Sequence, residues 1–395
     1  MTGRKGSRRR SSSPPWRCLV GGLALGVFVI LPARAAEDYG LRGQLSGWLA
    51  LNDERPSTPR FGLRYIPSLS LGRIIGRGLT LDAEASWNAY AAGAAPGWKD
   101  LSVEGRAKPY RLWVRLSAAQ FELRAGLQKI NFGSATLLRP LMWFDRMDAR
   151  DPLQITDGVT GVLGRYYFVN NANVWVWALY GNDDPKGWEA SPTAGKKPEF
   201  GGRVQLPLAT GEVGFTFHHR RADLAPGPET GLPAPVAESG EDRYAVDGKW
   251  DLGIGLWAEG VLVRQTAREL ASPYQRFLTV GADYTFGLGN GLHVLAEHFT
   301  TAAANRAFSK GEGRSFSGFM LDYPLGLLDQ LAGVFFYDWK RENLYTFLSW
   351  RRTYDNWQFF VMGFWNPVEF DVYRAPSGNN VFAGRGVQVM VVFNH

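Results

Sequence analysis

The side chains that could do chemistry in this chain are guanidiniums and carboxylates set at even spacings among apolar residues. Arg42, Arg64, Arg111, Arg115, Arg124, Arg165, Arg203 and Arg220 occupy polar positions of alternating segments, accompanied by Asp82, Glu84 and Glu122. Arg243 and Lys249 follow, against Asp247, Glu259, Asp283, Glu297, Asp322 and Asp338. Even spacing puts side chains on one face of a strand, and charged faces turned to a wet interior orient and filter polar solutes. Catalysis asks for more, a nucleophile or acid pair held beside a base. The chain has five His. His293 and Glu297 share one strand face, His298 falls on the other, and neither a nucleophile elbow nor an HExxH stretch occurs. The pair reads as lining, so a hydrolase is the weakest reading, and no catalytic residue, metal site or cofactor is expected. Gly287–Gly291 reads as a tight turn.

One connection carries a second set of charges. Residues 133–158 (GSATLLRPLMWFDRMDARDPLQITDG) combine Arg139, Arg146 and Arg150 with Asp145, Asp148, Asp151 and Asp157. The same stretch holds Leu137, Leu138, Leu141, Met142, Trp143 and Phe144. Such an apolar run is costly on an exposed tip and gains by tucking against a wall. The expectation is a loop folded inward, its charges either forming an eyelet or pairing with the wall to hold it.

These residues need strands to position them. Period-two alternation recurs from end to end: Leu79, Leu81, Ala83 and Ala85 alternate with Thr80, Asp82, Glu84 and Ser86, and Leu278, Val280, Ala282 and Tyr284 with Thr279, Gly281 and Asp283. About 18 such segments are expected, with 16 as the alternative; they include 109–117, 243–251, 315–323 and 381–394. Their connections alternate between short and mostly longer. Short ones include 118–120, 170–173 and 209–211; longer ones include 92–108, 133–158, 183–198, 223–242 and 367–380. Antiparallel hairpins put alternate connections on opposite rims, and short turns on one rim with long loops on the other mark a transmembrane barrel. Closure leaves no unpaired edge in lipid. Apolar faces then point to lipid and polar faces line the lumen, with bases mostly in the first nine strands and acids mostly in the last nine. Trp87, Trp175, Trp177, Trp250, Trp257, Trp339, Trp350, Trp357 and Trp365 stand near segment ends, where an interfacial aromatic girdle belongs.

Composition fits export. The chain has 395 residues and a formal charge of +7, but the first 35 carry seven bases and no acid, so the remainder is neutral. A basic stretch to Arg17, an apolar run from Cys18 to Leu31 and Ala33-Arg34-Ala35 read as a cleaved secretory signal, leaving 36–395 as one barrel domain. That removes the basic balance that would have pointed to nucleic acid. Cys18 is the only Cys, so the remainder has no thiol chemistry, disulfide or Cys-held haem.

The last strand sets Val387, Val389, Val391 and Phe393 on one face. It resembles the C-terminal signal read by the outer-membrane assembly machinery of Gram-negative bacteria, with Asn394-His395 as a departure after the aromatic residue. The chain as a whole resembles a porin in architecture, and Gly126–Gly133 leading into Arg139–Asp145 is similar in style to alginate-export-type barrels. The resemblance implies an outer-membrane location, contact with outer-membrane lipids, passage of small hydrophilic solutes or ions, a third outer loop narrowing the lumen, and trimers as a common assembly. A barrel sheath around a partner such as a multihaem cytochrome is the alternative; it requires a wide lumen.

Overall fold

The computed structural model describes residues 37–53, 58–76, 78–98, 100–224, 238–267, 270–367 and 381–395. The expected signal (1–35) and most of the Pro/Gly-rich 223–242 and of 367–380 lie outside them. Eighteen strands follow one another in chain order. They are β1 (Glu37–Asn52), β2 (Arg60–Gly76), β3 (Leu79–Ala94), β4 (Ser102–Ser117), β5 (Phe121–Gln128), β6 (Val159–Tyr167), β7 (Asn173–Tyr180), β8 (Pro198–Leu208) and β9 (Gly211–Asp223). Then come β10 (Glu238–Asp251), β11 (Gly255–Gln265), β12 (Tyr274–Phe286), β13 (Leu292–Ala304), β14 (Glu312–Pro324), β15 (Asp329–Asp338), β16 (Asn343–Thr353), β17 (Trp357–Trp365) and β18 (Arg385–Asn394). Each pairs antiparallel with the next, and β1 with β18 in the register Leu49↔Val389, so a single sheet closes on itself.

Both the alternation and the closed topology match the expected all-β barrel. Several strands are longer than their alternation indicated: β4 begins at Ser102 rather than 109, β10 at Glu238 rather than 243, and β14 at Glu312. β18 begins later than expected, at Arg385. Charged and small residues at these ends break the apolar pattern without breaking the backbone ladder.

In β4 the sequence contains Pro109, which has no N–H to give a ladder. The register shifts there: Ser86 faces Arg111, Trp87 faces Pro109, and Tyr110 is the extra residue of a bulge. Beyond the bulge Leu112 and Val114 are exposed outside, which turns Arg111, Trp113 and Arg115 to the interior. Outward positions are apolar and exposed around the wall, among them Leu49, Leu63, Leu112, Val176, Phe215, Val246, Leu278, Phe319, Leu348 and Val389. A continuous belt of that kind suits lipid, not water.

The expected girdle needs correction at three positions. Trp87, Trp339, Trp357 and Trp365 are about half exposed on the outside, but Trp177 and Trp257 are buried inside the barrel and Trp175 packs against that interior. At the chain end the ladder runs past Phe393: Gly43 and His395 exchange both backbone hydrogen bonds at 2.9 Å, and Tyr65 Oη lies 3.0 Å from His395 Nε2. Phe393 packs against Trp357, their rings tilted with centroids 4.6 Å apart.

Gly126 in β5 has φ +120°, and a Cβ there would collide with the backbone of Leu112 and Trp113 across the ladder. Gly126→Ala is expected to destabilise the barrel by about 1–3 kcal/mol, read as a lower urea midpoint in refolded samples; an unchanged midpoint would contradict the register of β4 and β5.

Candidate functional site

The stretch between β5 and β6 crosses the lumen. Two carboxylates of the far wall receive its backbone. Glu259 on β11 accepts N–H bonds from Ser134, Ala135 (2.7 Å) and Leu141 (3.4 Å). Glu297 on β13 accepts from Thr136 (2.6 Å), Leu137 (3.0 Å) and Leu138 (2.6 Å), and from Trp257 Nε1 (3.1 Å). Thr279 Oγ1 donates to the Leu138 carbonyl at 2.6 Å. Gly133, at φ +92°, lets the chain pass Glu259 where a Cβ would not fit. These bonds satisfy a run of loop amides that would otherwise be buried unpaired.

The connection between β7 and β8 lies against this loop. Gly187 N–H donates to Asp145 O at 3.0 Å and Trp188 Nε1 to Arg139 O at 2.8 Å. Its Glu189 joins a buried network: Arg220 bonds Glu241 at 2.7 and 3.1 Å, Arg243 bonds both Glu241 and Glu189, and Glu189 lies 3.3 Å from Arg220. Two bases and two acids neutralise one another, which burial requires. Below it, Arg203 makes a two-pronged pair with Asp247, and His218 sits between Trp177 Nε1 and Glu199, each at 3.2 Å.

Around these polar pins lies an apolar core that a uniformly polar lumen would not have. Leu137, Leu138, Leu141, Trp143 and Phe144 of the loop pack with Trp177, Phe277, Phe299, Phe316, Phe336, Tyr345, Phe347 and Phe364 of the wall. The expectation that inner faces are polar is corrected where the loop covers β12–β17: Phe277, Leu295, Phe299, Phe316, Val334, Phe336, Tyr345, Phe347 and Phe364 face in among polar neighbours because loop, not water, lies against them. Trp188 stacks on Phe299 at 4.7 Å.

The expected site residues therefore separate. Glu297 is a loop anchor, and Arg203 and Arg220 are buried in ion pairs, so none of these lines open space. Asp338, also buried, caps the turn after β15 through the N–H groups of Lys340 (2.9 Å) and Arg341 (3.2 Å). Arg139 pairs with Asp145 at 3.2 Å inside the loop. Arg150 is clasped by Asp148 at 2.7–3.0 Å and lies over Phe382 at 5.2 Å. The Asp151 carboxylate accepts from Leu153 (3.0 Å) and Ile155 (3.4 Å), and the Arg146 N–H donates to Thr156 Oγ1. Arg111 donates to Thr156 O at 3.1 Å and, with the Lys108–Asp157 pair at 2.6 Å, holds the loop's return stem. Arg115 is half-buried beside Asp82 at 2.9 Å; Arg124 meets Glu122 at 3.0 Å and lies over Trp113. Asp283 faces His293 at 3.2 Å near the turn-side rim. Burial pushes the Asp145 and Asp151 carboxyls up, opposed by Arg139 at the first and by the Leu153 amide at the second, and pushes the Lys186 ammonium down.

Sequence reasoning missed Glu189, Glu199, His218 and Glu241. Glu241 lay in an expected loop, and Glu189 beside Trp188 in a connection whose aromatic residue was its one signal of burial.

The opposite side of the barrel is different. Arg64, Ser68, Tyr90, Trp113, Arg115 and Arg124 keep partial exposure. Several side-chain polar atoms on these strands make no hydrogen bond within the protein, among them Arg64 Nε, Ser86 Oγ, Asn88 Oδ1, Arg124 Nε and Gln388 Oε1. At its loop-side end a cavity of about 360 Å³ is lined by Arg60, Arg64, Tyr90, Glu104, Asp151 and Gln388 among others.

Replacing both anchors, Glu259→Ala with Glu297→Ala, leaves the loop amides without acceptors. The expected outcome is release of 134–141 from the wall and a rise of about twofold or more in single-channel conductance; unchanged conductance in correctly folded barrels would show that the loop is held otherwise.

Among known proteins, no family model and no curated sequence matches the chain. Solved structures do. OccAB1 of Acinetobacter baumannii is similar over 91% of this chain and 95% of its own, with a TM-score of 0.55 and 9% identity. OprD of Pseudomonas aeruginosa is similar over 91% and 94%, at 0.55 and 11%. OmpT, an outer membrane protein of Vibrio cholerae solved in a trimer form, is similar over 91% and 100%, at 0.52 and 11%. The fold of this chain is that of a porin-type β-barrel.

Proposed function

We propose that the chain is an outer-membrane channel that passes small hydrophilic solutes or ions along one side of its lumen, between the wall of β18 and β1–β6 and the inward loop. The carrying observation is the partly exposed inner face of Arg64, Ser68, Tyr90, Trp113, Arg115 and Arg124 beside the cavity of about 360 Å³, since charged and polar side chains that packing leaves uncovered belong beside water. Bases on these strands, among them Arg42, Arg64, Arg115, Arg124 and Arg165, outnumber Asp82, Glu84 and Glu122, which favours anionic solutes in a narrow passage. Removal of residues 1–35 as an export signal is part of the same proposal, as is the absence of catalysis. A sheath around a partner protein would need the volume that the buried cluster of Leu138, Trp143, Phe299 and Phe336 occupies, so the channel is the better reading.

Purified barrels inserted in a planar bilayer under a salt gradient are expected to give stepwise conductance with an anion-biased reversal potential. Arg64→Gln with Arg115→Gln is expected to lower the anion-to-cation permeability ratio by about twofold, more at low ionic strength. Absence of conductance from folded protein would refute the channel, and an unmoved reversal potential would refute the basic passage.

A further inference from the structure

The outside of the barrel carries a feature that passage through the lumen does not use. On β7–β12 the lipid-facing surface is hollowed into a groove of about 910 Å³, bordered by Val176, Phe215, Val246 and Leu278 with Gly202 and Gly260 in its lining. At these glycines the wall lacks side chains between the bulky neighbours. Phe308, 85% exposed on the connection from β13 to β14, closes its loop-side edge. The lining spans six adjacent strands, and strand spacing of about 4.8 Å makes it roughly 24 Å wide, room for several acyl chains side by side.

Its loop-side end is basic. Arg276 is itself part of the lining, outward on β12 in line with Leu278, and its guanidinium bonds the Ser309 carbonyl at 2.7 Å. Arg264 points outward on β11, in line with Leu262 and across from Tyr274. Arg306 and Lys310 stand exposed on the segment that carries Phe308. Among the described residues two nearby carboxylates are engaged: Asp242, opposite Arg264 in register, meets His219 at 2.7 Å, and Glu238 lies 3.7 Å from Arg221. Arginine is costly at the lipid midplane and well tolerated at the interface, so this cluster fits the headgroup level and the apolar floor the acyl level beneath it.

We propose that this groove is a binding site for a phosphorylated, multiply acylated glycolipid of the outer leaflet, with Arg264 and Arg276 on the phosphate and Phe215, Val246, Leu278 and Phe308 against the chains. The width argues for more than two chains, and the paired carboxylates leave the arginines to an anion. The inference rests on the long loops facing outward, as in the proposed function, but not on conduction.

The test is native mass spectrometry of the full barrel in detergent with bis-phosphorylated hexa-acyl lipid A, the dephosphorylated form, or phosphatidylglycerol, with bilayer conductance as a parallel readout. Lipid A adducts are expected to survive, and to weaken at least tenfold on dephosphorylation or in Arg264→Gln/Arg276→Gln, while the conductance of that variant stays at the wild-type value. Equal lipid A binding by wild type and double variant would overturn the proposal. So would phosphatidylglycerol binding as tightly as lipid A, or a Phe308→Cys variant that cross-links to a second copy and excludes lipid. Lipid A binding without conductance would instead refute the channel and leave the groove assigned.

Discussion

Two carboxylates projecting into the barrel from its far wall hold the rest of the interior in place. Glu259 and Glu297 stand on β11 and β13, where a buried carboxyl group is costly unless something offers it donors. The backbone of 134–141 is that donor set, and the loop in turn has no other acceptor for its amides once it leaves water. Each makes the other's burial tolerable. With the loop fixed at this depth, Leu137, Leu138, Trp143 and Phe144 meet the aromatic faces of β12–β17, and the second connection, through Gly187 and Trp188, has a surface to rest on.

Charge is used in two different ways across the interior. Arg203, Arg220 and Arg243 are matched to Asp247, Glu241 and Glu189 without surplus, and the pairs serve as pins. Removing one member of such a group typically costs about 3–5 kcal/mol, because its partner is left charged and dry. On the side of β1–β6 the pairing is looser. Arg115 shares Asp82 and Glu122, and Arg124 and Arg165 share Glu122 alone. That surplus of guanidinium over carboxylate is affordable only next to water.

Much of the fold was legible because a strand wall between lipid and an interior imposes period two on nearly every segment. Leu79–Trp87 and Leu278–Phe286 show it directly, and the eighteen strands and the long-loop rim follow from it. Strand ends such as 102–108 and 238–242 were hidden because charged residues at the rim need no apolar face. The interior was legible only in part. Val334 and Phe336 are as apolar as Phe335 on the other face, and alternation cannot say that a loop covers them. The apolar run 137–144 announced that 133–158 seeks cover, but nothing in the order of residues says that Glu259 and Glu297 supply the anchors, since they are more than a hundred residues away. The arginines divide into pins and passage by what the loops bury.

The seam between β1 and β18 has a consequence for how the barrel is made. Leu49 and Val389 are neighbours in the wall but lie at opposite ends of the chain, so their pairing carries the largest loop-closure entropy of any ladder in the sheet. Hairpins between strands adjacent in the chain close short loops and form early, whereas this ladder waits for the whole wall to be in place. The two ends of the chain therefore meet last, and the seam is the ladder whose loss reopens the barrel.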